Sequence, residues 1–223
     1  VPAPLSQAIE DYLKAIYLLA QSRRPVTTNG LSQRLGVAPA SVTNMVKRLA
    51  RMRLVRHTPY RGVELTDAGE KVALEVIRHH RLLELYLSRH LGVSLDRVHD
   101  EADRLEHVIS EDLEDRIAVA LGEPALDPHG DPIPRRDGTV PVRSAQVLSK
   151  VTPGRRGTVV RVSDRDAQVL QELVSTGLLP GAALEVTAAD AQRVDISLEG
   201  RPRRISPALA EAVYVEVEEP GAA

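Results

Sequence analysis

A chain of 223 residues, 43% hydrophobic and 27% charged, has room for two or three small domains and the composition of a globular protein. It contains no Cys, which excludes disulfides and thiolate metal ligands, and no Phe or Trp, so the core falls to Leu, Val, Ile and Ala. The net charge of −2 conceals a segregation: no Asp or Glu lies between Tyr12 and Val63, where Lys14, Arg23, Arg24, Arg34, Lys47, Arg48, Arg51, Arg53, Arg56 and Arg61 accumulate, while residues 96–115 are acidic. A basic block fits a polyanion partner, and an acidic block fits a solvated face or a cation site.

In chain order, Ser6 to Ser22 predicts a helix, with Ile9, Leu13, Ile16 and Tyr17 at helical spacing. Glu10, Asp11 and Lys14 interrupt its apolar run, so neither a signal peptide nor a membrane span is expected, and a cytoplasmic location is. Thr28 to Leu35 predicts a second, short helix. Gly36-Val37-Ala38 supplies a tight turn, and Pro39 opens a third helix to about Arg51. Two short helices joined by a Gly-containing turn are the pattern of a helix-turn-helix. Leu54–His57 and Val63–Leu65, joined through Pro59-Tyr60-Arg61-Gly62, predict a hairpin, the wing. Thr66-Asp67 starts a long helix to about His90. Two shorter helices follow, from Ser94 to roughly Val108 and from Ser110 to Leu121. Residues 123–153 are rich in Pro and predict a linker or irregular arm. Thereafter Thr158–Val162, Ala183–Val186, Val194–Leu198 and Val213–Val217 predict strands, with one helix over Ala167–Val174, the pattern of a small barrel. The final Glu-Glu-Pro-Gly-Ala-Ala is expected to fray. The expected fold is mainly α with a small β domain. Its expected parts are a winged helix-turn-helix over 1–75, a helical domain over 76–140 (the metal-binding and dimerisation domain of the family resemblance given below), a linker over 141–152 and a barrel over 153–223.

The third helix offers Ser41, Thr43, Asn44, Lys47 and Arg48. Its N-terminal residues are those a helix-turn-helix aims at base edges, where Asn pairs with adenine, while Lys47, Arg48 and the wing's Arg61 supply the salt-dependent attraction to phosphates. Thr27 and Pro39, at the starts of the two helices, complete the expected DNA surface. The plain alternative is a basic, solvated subdomain that packs on a protein partner.

The stretch from Val98 to His107 is the richest in ligand chemistry. On a helix His99, Asp103, Glu106 and His107 share one face, and their carboxylates repel one another unless a cation joins them. The long helix adds His80 and Glu84, spaced i, i+4, and the first helix adds Asp11. From spacing alone a solvated acidic face is an equal reading. A metal-dependent hydrolase is the third. It lacks support, because no His-Glu-x-x-His, Gly-rich phosphate loop or Ser/His/Asp arrangement is present, so no enzyme is expected.

These motifs resemble the diphtheria toxin repressor family of iron- and manganese-dependent regulators. The resemblance runs from about Ser6 to Glu219. It is carried by Glu10-Asp11-Tyr12-Leu13, Val42-Thr43-Asn44-Met45-Val46, Arg61-Gly62-Val63-Glu64-Leu65-Thr66, His79-His80-Arg81-Leu82-Leu83-Glu84, Val98-His99-Asp100-Glu101, Glu106-His107 and Gly130-Asp131-Pro132-Ile133-Pro134. It implies a homodimer on a palindromic double-stranded DNA operator, a C-terminal SH3-like (FeoA-like) barrel and a repressor that controls metal-ion homeostasis. It also implies a primary metal site of Asp11, Asp103, Glu106 and His107 and an ancillary site of His80, Glu84 and His99, with Asp166 or Gln168 as barrel ligands. Iron-type members carry sulfur ligands where this chain has Asp11 and Asp103, and barrel-less manganese regulators carry a Glu where it has Lys14, so a closely spaced two-ion site of their kind is not expected. The oxygen-rich set favours Mn²⁺, with Fe²⁺ close behind and Co²⁺, Ni²⁺, Zn²⁺ or Cd²⁺ as substitutes in vitro. Arg81 matches the family's anion-binding Arg, but Asp127 and Asp131 fall at its partner positions, so no anion is expected there. A winged-helix regulator not gated by metal remains the alternative.

Overall fold

The structure is a computed structural model that describes residues 5–22, 24–190 and 193–218. Arg23 of the basic stretch, and the expected frayed tail from residue 219 on, lie outside the described residues. Its elements are α1 (Gln7–Ala20), α2 (Thr28–Leu35), α3 (Pro39–Arg51), β1 (Val55–Thr58), β2 (Gly62–Leu65), α4 (Asp67–Leu91), α5 (Val98–Leu105), α6 (Glu111–Ala120), β3 (Gln146–Val147), β4 (Arg156–Val162), α7 (Ala167–Thr176), β5 (Ala183–Ala189), β6 (Val194–Leu198), β7 (Arg201–Ile205), α8 (Pro207–Ala212) and β8 (Val213–Val217). They form two compact units. One takes residues up to His80, Leu105–Ser110 and Pro134–Thr139; the other takes Arg81–Arg104, Glu111–Ile133 and the chain from Val140 on.

The first unit is a winged helix-turn-helix. Thr27 caps α2, its hydroxyl accepting the Gly30 N–H at 3.1 Å, and Gly36 ends the helix at φ 65° with its N–H on the Ser32 carbonyl. That left-handed residue turns the chain in the few residues before Pro39 starts α3. Ile9, Leu13 and Ile16 of α1, Leu31 of α2, and Val42, Val46 and Leu49 of α3 bury against Val55 and Val63 of the wing. The i, i+3, i+4, i+7 spacing thus turns the polar face of α3 outward. In the wing, β1 and β2 pair antiparallel, Val55 opposite Leu65 and Thr58 opposite Gly62. The hairpin is seated on the loop before α2 by reciprocal bonds between Val26 and Val63 at 3.0 and 2.8 Å. Gly62 makes this seat possible: its φ is +137°, and a Cβ there would lie 2.5 Å from the Val26 carbonyl oxygen.

The second unit contains α6, the loop after it and the six-stranded antiparallel barrel sheet, in the order β3-β8-β4-β5-β6-β7. Inward residues of its strands (Val159, Val162, Val186, Ile196 and Val215) close on Leu170 and Leu173 of α7 and on Leu209 of α8. Three elements were not expected from the sequence. β7 reads Arg-Pro-Arg-Arg-Ile and is exposed except at Ile205, because it is an edge strand, where charge and Pro are tolerated and block further pairing. α8 has a legible start, Ser206 accepting the Leu209 N–H with Pro207 at its first position, but is only six residues long. β3 is two residues on β8. The helix expected from Ser94 to Val108 narrows to Val98–Leu105.

Candidate functional site

The DNA-facing candidates lie where the folding of the first unit puts them. Pro39, Ser41, Asn44, Lys47, Arg48 and Arg51 are exposed on α3. Thr43 is half-buried and donates its hydroxyl to the Pro39 carbonyl at 2.9 Å, which ties it to its own helix. Thr27 is likewise engaged as a cap. Arg61 is exposed at the wing tip, beside a fully exposed Tyr60 at φ 62° that the sequence reading passed over.

In the same unit, α1 turns its acidic end toward the segment around Glu106. Asp11, Glu106 and His107 bring ligand atoms within 4.8 Å of one another. His107 Nε2 lies 2.9 Å from Asp11 and 3.3 Å from Glu106, while its Nδ1 lies 2.6 Å from Glu10. Each ring nitrogen thus faces carboxylate oxygen, an arrangement that a proton or a metal ion on the nitrogen satisfies equally. Glu106 is fully buried and takes the Lys14 ammonium at 2.7 Å on one oxygen and 3.0 Å on the other. His80 Nδ1 is 2.5 Å from the same carboxylate. Burial raises the pKa of Asp11 and Glu106 raises it further, against the opposing pull of His107 and Lys14.

The second unit holds another constellation around Glu84, which is buried in α4. Glu84, His99 and Asp164 converge, with His99 Nδ1 3.1 Å from Glu84 and 3.3 Å from Asp164. Glu84 also groups with Asp127 and His129, all three buried. Asp127 folds the loop, one carboxylate oxygen accepting the N–H of His129 and of Asp131, both at 2.9 Å. His129 Nδ1 has no hydrogen-bond partner and lies 3.7 Å from Glu84, too far for a bond. An orphaned, fully buried imidazole nitrogen aimed at carboxylates is what a bound cation resolves, so these residues fit a metal. Burial, with Glu84 and Asp131 adding to it, pushes the Asp127 carboxyl up to about 8. Burial opposes a charged His129, yet Glu84, Asp127 and Asp164 outweigh it and hold the imidazole up at about 9.

Asp103 is exposed, with its carboxylate 3.6 Å from His99. Asp166 caps α7, accepting the Gln168 and Val169 N–H groups at 2.9 and 3.2 Å; Asp164, two residues earlier, is the barrel residue beside His99. Arg81 is held by Asp127 at 3.5 Å, Asp131 at 3.4 Å and the Pro132 carbonyl at 2.5 Å, so carboxylates already fill its corner. Sequence reasoning missed Glu10, His129 and Asp164 as members of these clusters; it met Lys14 only as the place of a Glu in barrel-less manganese regulators and Asp127 only as an anion-corner position. A loop Asp-x-His pair ahead of a Gly is a signal that helix-face counting does not register.

Three family profiles cover most of the chain: the iron-dependent repressor N-terminal DNA-binding domain over 4–63, the iron-dependent repressor metal-binding and dimerisation domain over 66–135, and the FeoA domain over 146–217. The iron-dependent repressor IdeR of Mycobacterium leprae is 34% identical across 95% of this chain and 98% of its own length. The diphtheria toxin repressor of Corynebacterium diphtheriae is 27% identical over the same shares. A solved manganese-dependent transcriptional repressor in complex with manganese superposes with a TM-score of 0.88 at 39% identity, covering 93% of this chain and 98% of that one. Profiles and full-length relatives point the same way, and the chain belongs to the diphtheria toxin repressor family of iron-dependent repressors.

Proposed function

We propose that this protein is a metal-activated, DNA-binding transcription repressor that senses Mn²⁺ through two carboxylate/imidazole centres and controls metal-ion homeostasis. The observation that carries the reading is the meeting of Asp11, on the first helix of the DNA-reading unit, with Glu106 and His107. Asp11, Glu106 and His107 would hold the ion of the first centre; Glu84 would anchor the second, in one group with His99 and Asp164 and in another with Asp127 and His129. Bound there, a divalent cation supplies the charge that lets these carboxylates converge without protons. Asp11 then ties α1, and through it the recognition helix, to the Glu106-His107 segment. The donors are oxygen and imidazole nitrogen without sulfur, which favours Mn²⁺ over softer ions and leaves Fe²⁺ as the nearest competitor.

The protein binds DNA and forms homodimers, as its DNA-binding and dimerisation domains require. α6 leaves Leu113 and Val119 exposed, apolar surface of the kind a second copy covers. Two reading heads related by a two-fold axis match a palindromic operator. The family is one of DNA-binding repressors and not of enzymes. No helix among the described residues is long and apolar enough to cross a membrane.

The test is selection of bound duplexes from a random DNA pool with Mn²⁺ present, followed by affinity measurement under anaerobic titration with Mn²⁺, Fe²⁺, Co²⁺ and Zn²⁺. Binding that collapses in chelator and returns with Mn²⁺ supports the reading. Chelator-insensitive binding makes this a winged-helix regulator not gated by metal.

A further inference from the structure

Lys14 stands one helical turn after Asp11, so α1 presents a carboxylate and an ammonium to the same cluster. The ammonium lies 3.0 and 2.7 Å from the two oxygens of Glu106 and 3.0 Å from His80 Nδ1, and its side chain is 13% exposed against 1% for Glu106. A buried carboxylate in this position needs a positive partner, and an ion pair at that separation in a largely dehydrated site is strong. Glu106 also groups with Asp11 and His107, and its Oε1, which Lys14 holds, is the atom 3.3 Å from His107 Nε2. The same oxygen is therefore claimed by a fixed cation of the protein and by the place where a divalent ion would sit.

We infer that Lys14 is a built-in counter-cation that competes with the divalent ion for Glu106 and thereby sets the metal concentration at which the first centre fills. The inference rests on the reading of Asp11, Glu106 and His107 as a metal centre. In the metal-free protein Lys14 keeps Glu106 neutralised and holds α1 against it, so loss of metal exchanges one cation for another and leaves no naked buried charge. When the centre fills, the ion approaches against the ammonium's repulsion, and affinity is lower than the donor set alone would give. A centre tuned this way responds to excess metal and ignores trace amounts.

The experiment uses the full-length protein, with Mn²⁺ binding followed by the EPR signal of free Mn²⁺. Asp11→Asn identifies which bound equivalent belongs to this centre. Lys14→Met removes the charge and keeps the stem, Lys14→Gln does the same with a polar end in case the first variant folds poorly, and Lys14→Arg keeps the charge. The Asp11-dependent equivalent is expected to bind at least tenfold more tightly in Lys14→Met and Lys14→Gln and within about twofold of wild type in Lys14→Arg. Thermal melting should show lower metal-free stability in the neutral variants and a larger gain on adding Mn²⁺. Unchanged affinity would make Lys14 a structural ion pair only, and weaker affinity would make it a residue that positions Glu106; either overturns the proposal. If Asp11→Asn removes no Mn²⁺ equivalent from the wild-type sequence, the assignment of the centre fails first and the competition with it.

Discussion

Replacing Gly62 with Ala tests whether the wing is rigidly mounted on the reading head. At φ +137° an L-residue sits in a region essentially reserved for Gly, which costs about 1–3 kcal/mol. The added methyl would also lie 2.5 Å from the Val26 carbonyl oxygen and 3.2 Å from Pro25 Cβ, and the nearer neighbour is backbone, which cannot rotate away. The hairpin must then lift off the Val26–Val63 bonds, losing further stability, for a total of about 2–4 kcal/mol. That corresponds to a melting point lower by roughly 5–15 °C, as read by circular dichroism. Arg61 at the wing tip moves with the hairpin, so the salt dependence of DNA binding should flatten by about one phosphate contact. A Gly62→Ala protein that melts with wild type and keeps its salt slope would show that neither the backbone region nor the seat on Val26 matters.

Asp11→Asn keeps an oxygen donor and loses the charge; at least a tenfold loss of Mn²⁺ affinity, with a matching shift of the DNA-binding curve along the Mn²⁺ axis, is expected by titration. Asn44→Ala should relax sequence preference by about 1–3 kcal/mol of discrimination, whereas Lys47→Ala should weaken binding to all sequences alike, read by competition against altered duplexes. Metal-free stability should fall as pH rises. Asp127, at about 8 against an ordinary 3.8, and His129, at about 9 against 6.5, both hold protons in the folded state that the unfolded chain has released. The Asp127 contribution is complete below about pH 4 and lost through 8, and that of His129 is complete below about 6.5 and lost through 9. Mn²⁺ should therefore raise the melting temperature more at pH 8.5 than at 6.5 in calorimetry, since binding releases those protons. Chelation at pH 7 should leave the helical circular dichroism signal in place, because the two apolar cores bury without help from either centre.

The helix-turn-helix was legible because its signals are local: Thr27, Gly36 and Pro39 fix two helix ends and a turn within a dozen residues, and the apolar spacing of Val42, Val46 and Leu49 fixes which face is free. The strands of the barrel core were legible by alternation, whereas β7 was not, since an edge strand has no need to bury anything. The metal constellations were only half legible. Helical spacing gathers His99, Asp103, Glu106 and His107 on one notional face, but α5 ends at Leu105, so Glu106 and His107 lie beyond it and need not follow that face. His129 and Asp164 come from a loop and a strand end, and their meeting with Glu84 depends on tertiary folding that no spacing rule encodes. The resemblance marks Lys14 as a position of the metal region, but its pairing with Glu106, ninety-two residues on, comes only from the fold.

The loop that carries Asp127 and His129 is fastened to the barrel by its own backbone. The His129 carbonyl accepts the Val162 N–H at 2.8 Å, and Gly130 lies so close to β4 that a Cβ there would sit 2.0 Å from the Val160 carbonyl oxygen. A ribosome delivers these pieces in order, and β4 arrives last. Until Val162 and Asp164 have emerged, Glu84, His99, Asp127 and His129 have neither the strand that shapes their loop nor a full set of donors. A nascent or prematurely terminated chain ending near residue 150 would therefore carry a complete DNA-reading domain with an unfinished second centre. Removing the barrel would, in the same way, take Asp164 away from Glu84 and His99 and leave the loop of Asp127 and His129 without its strand.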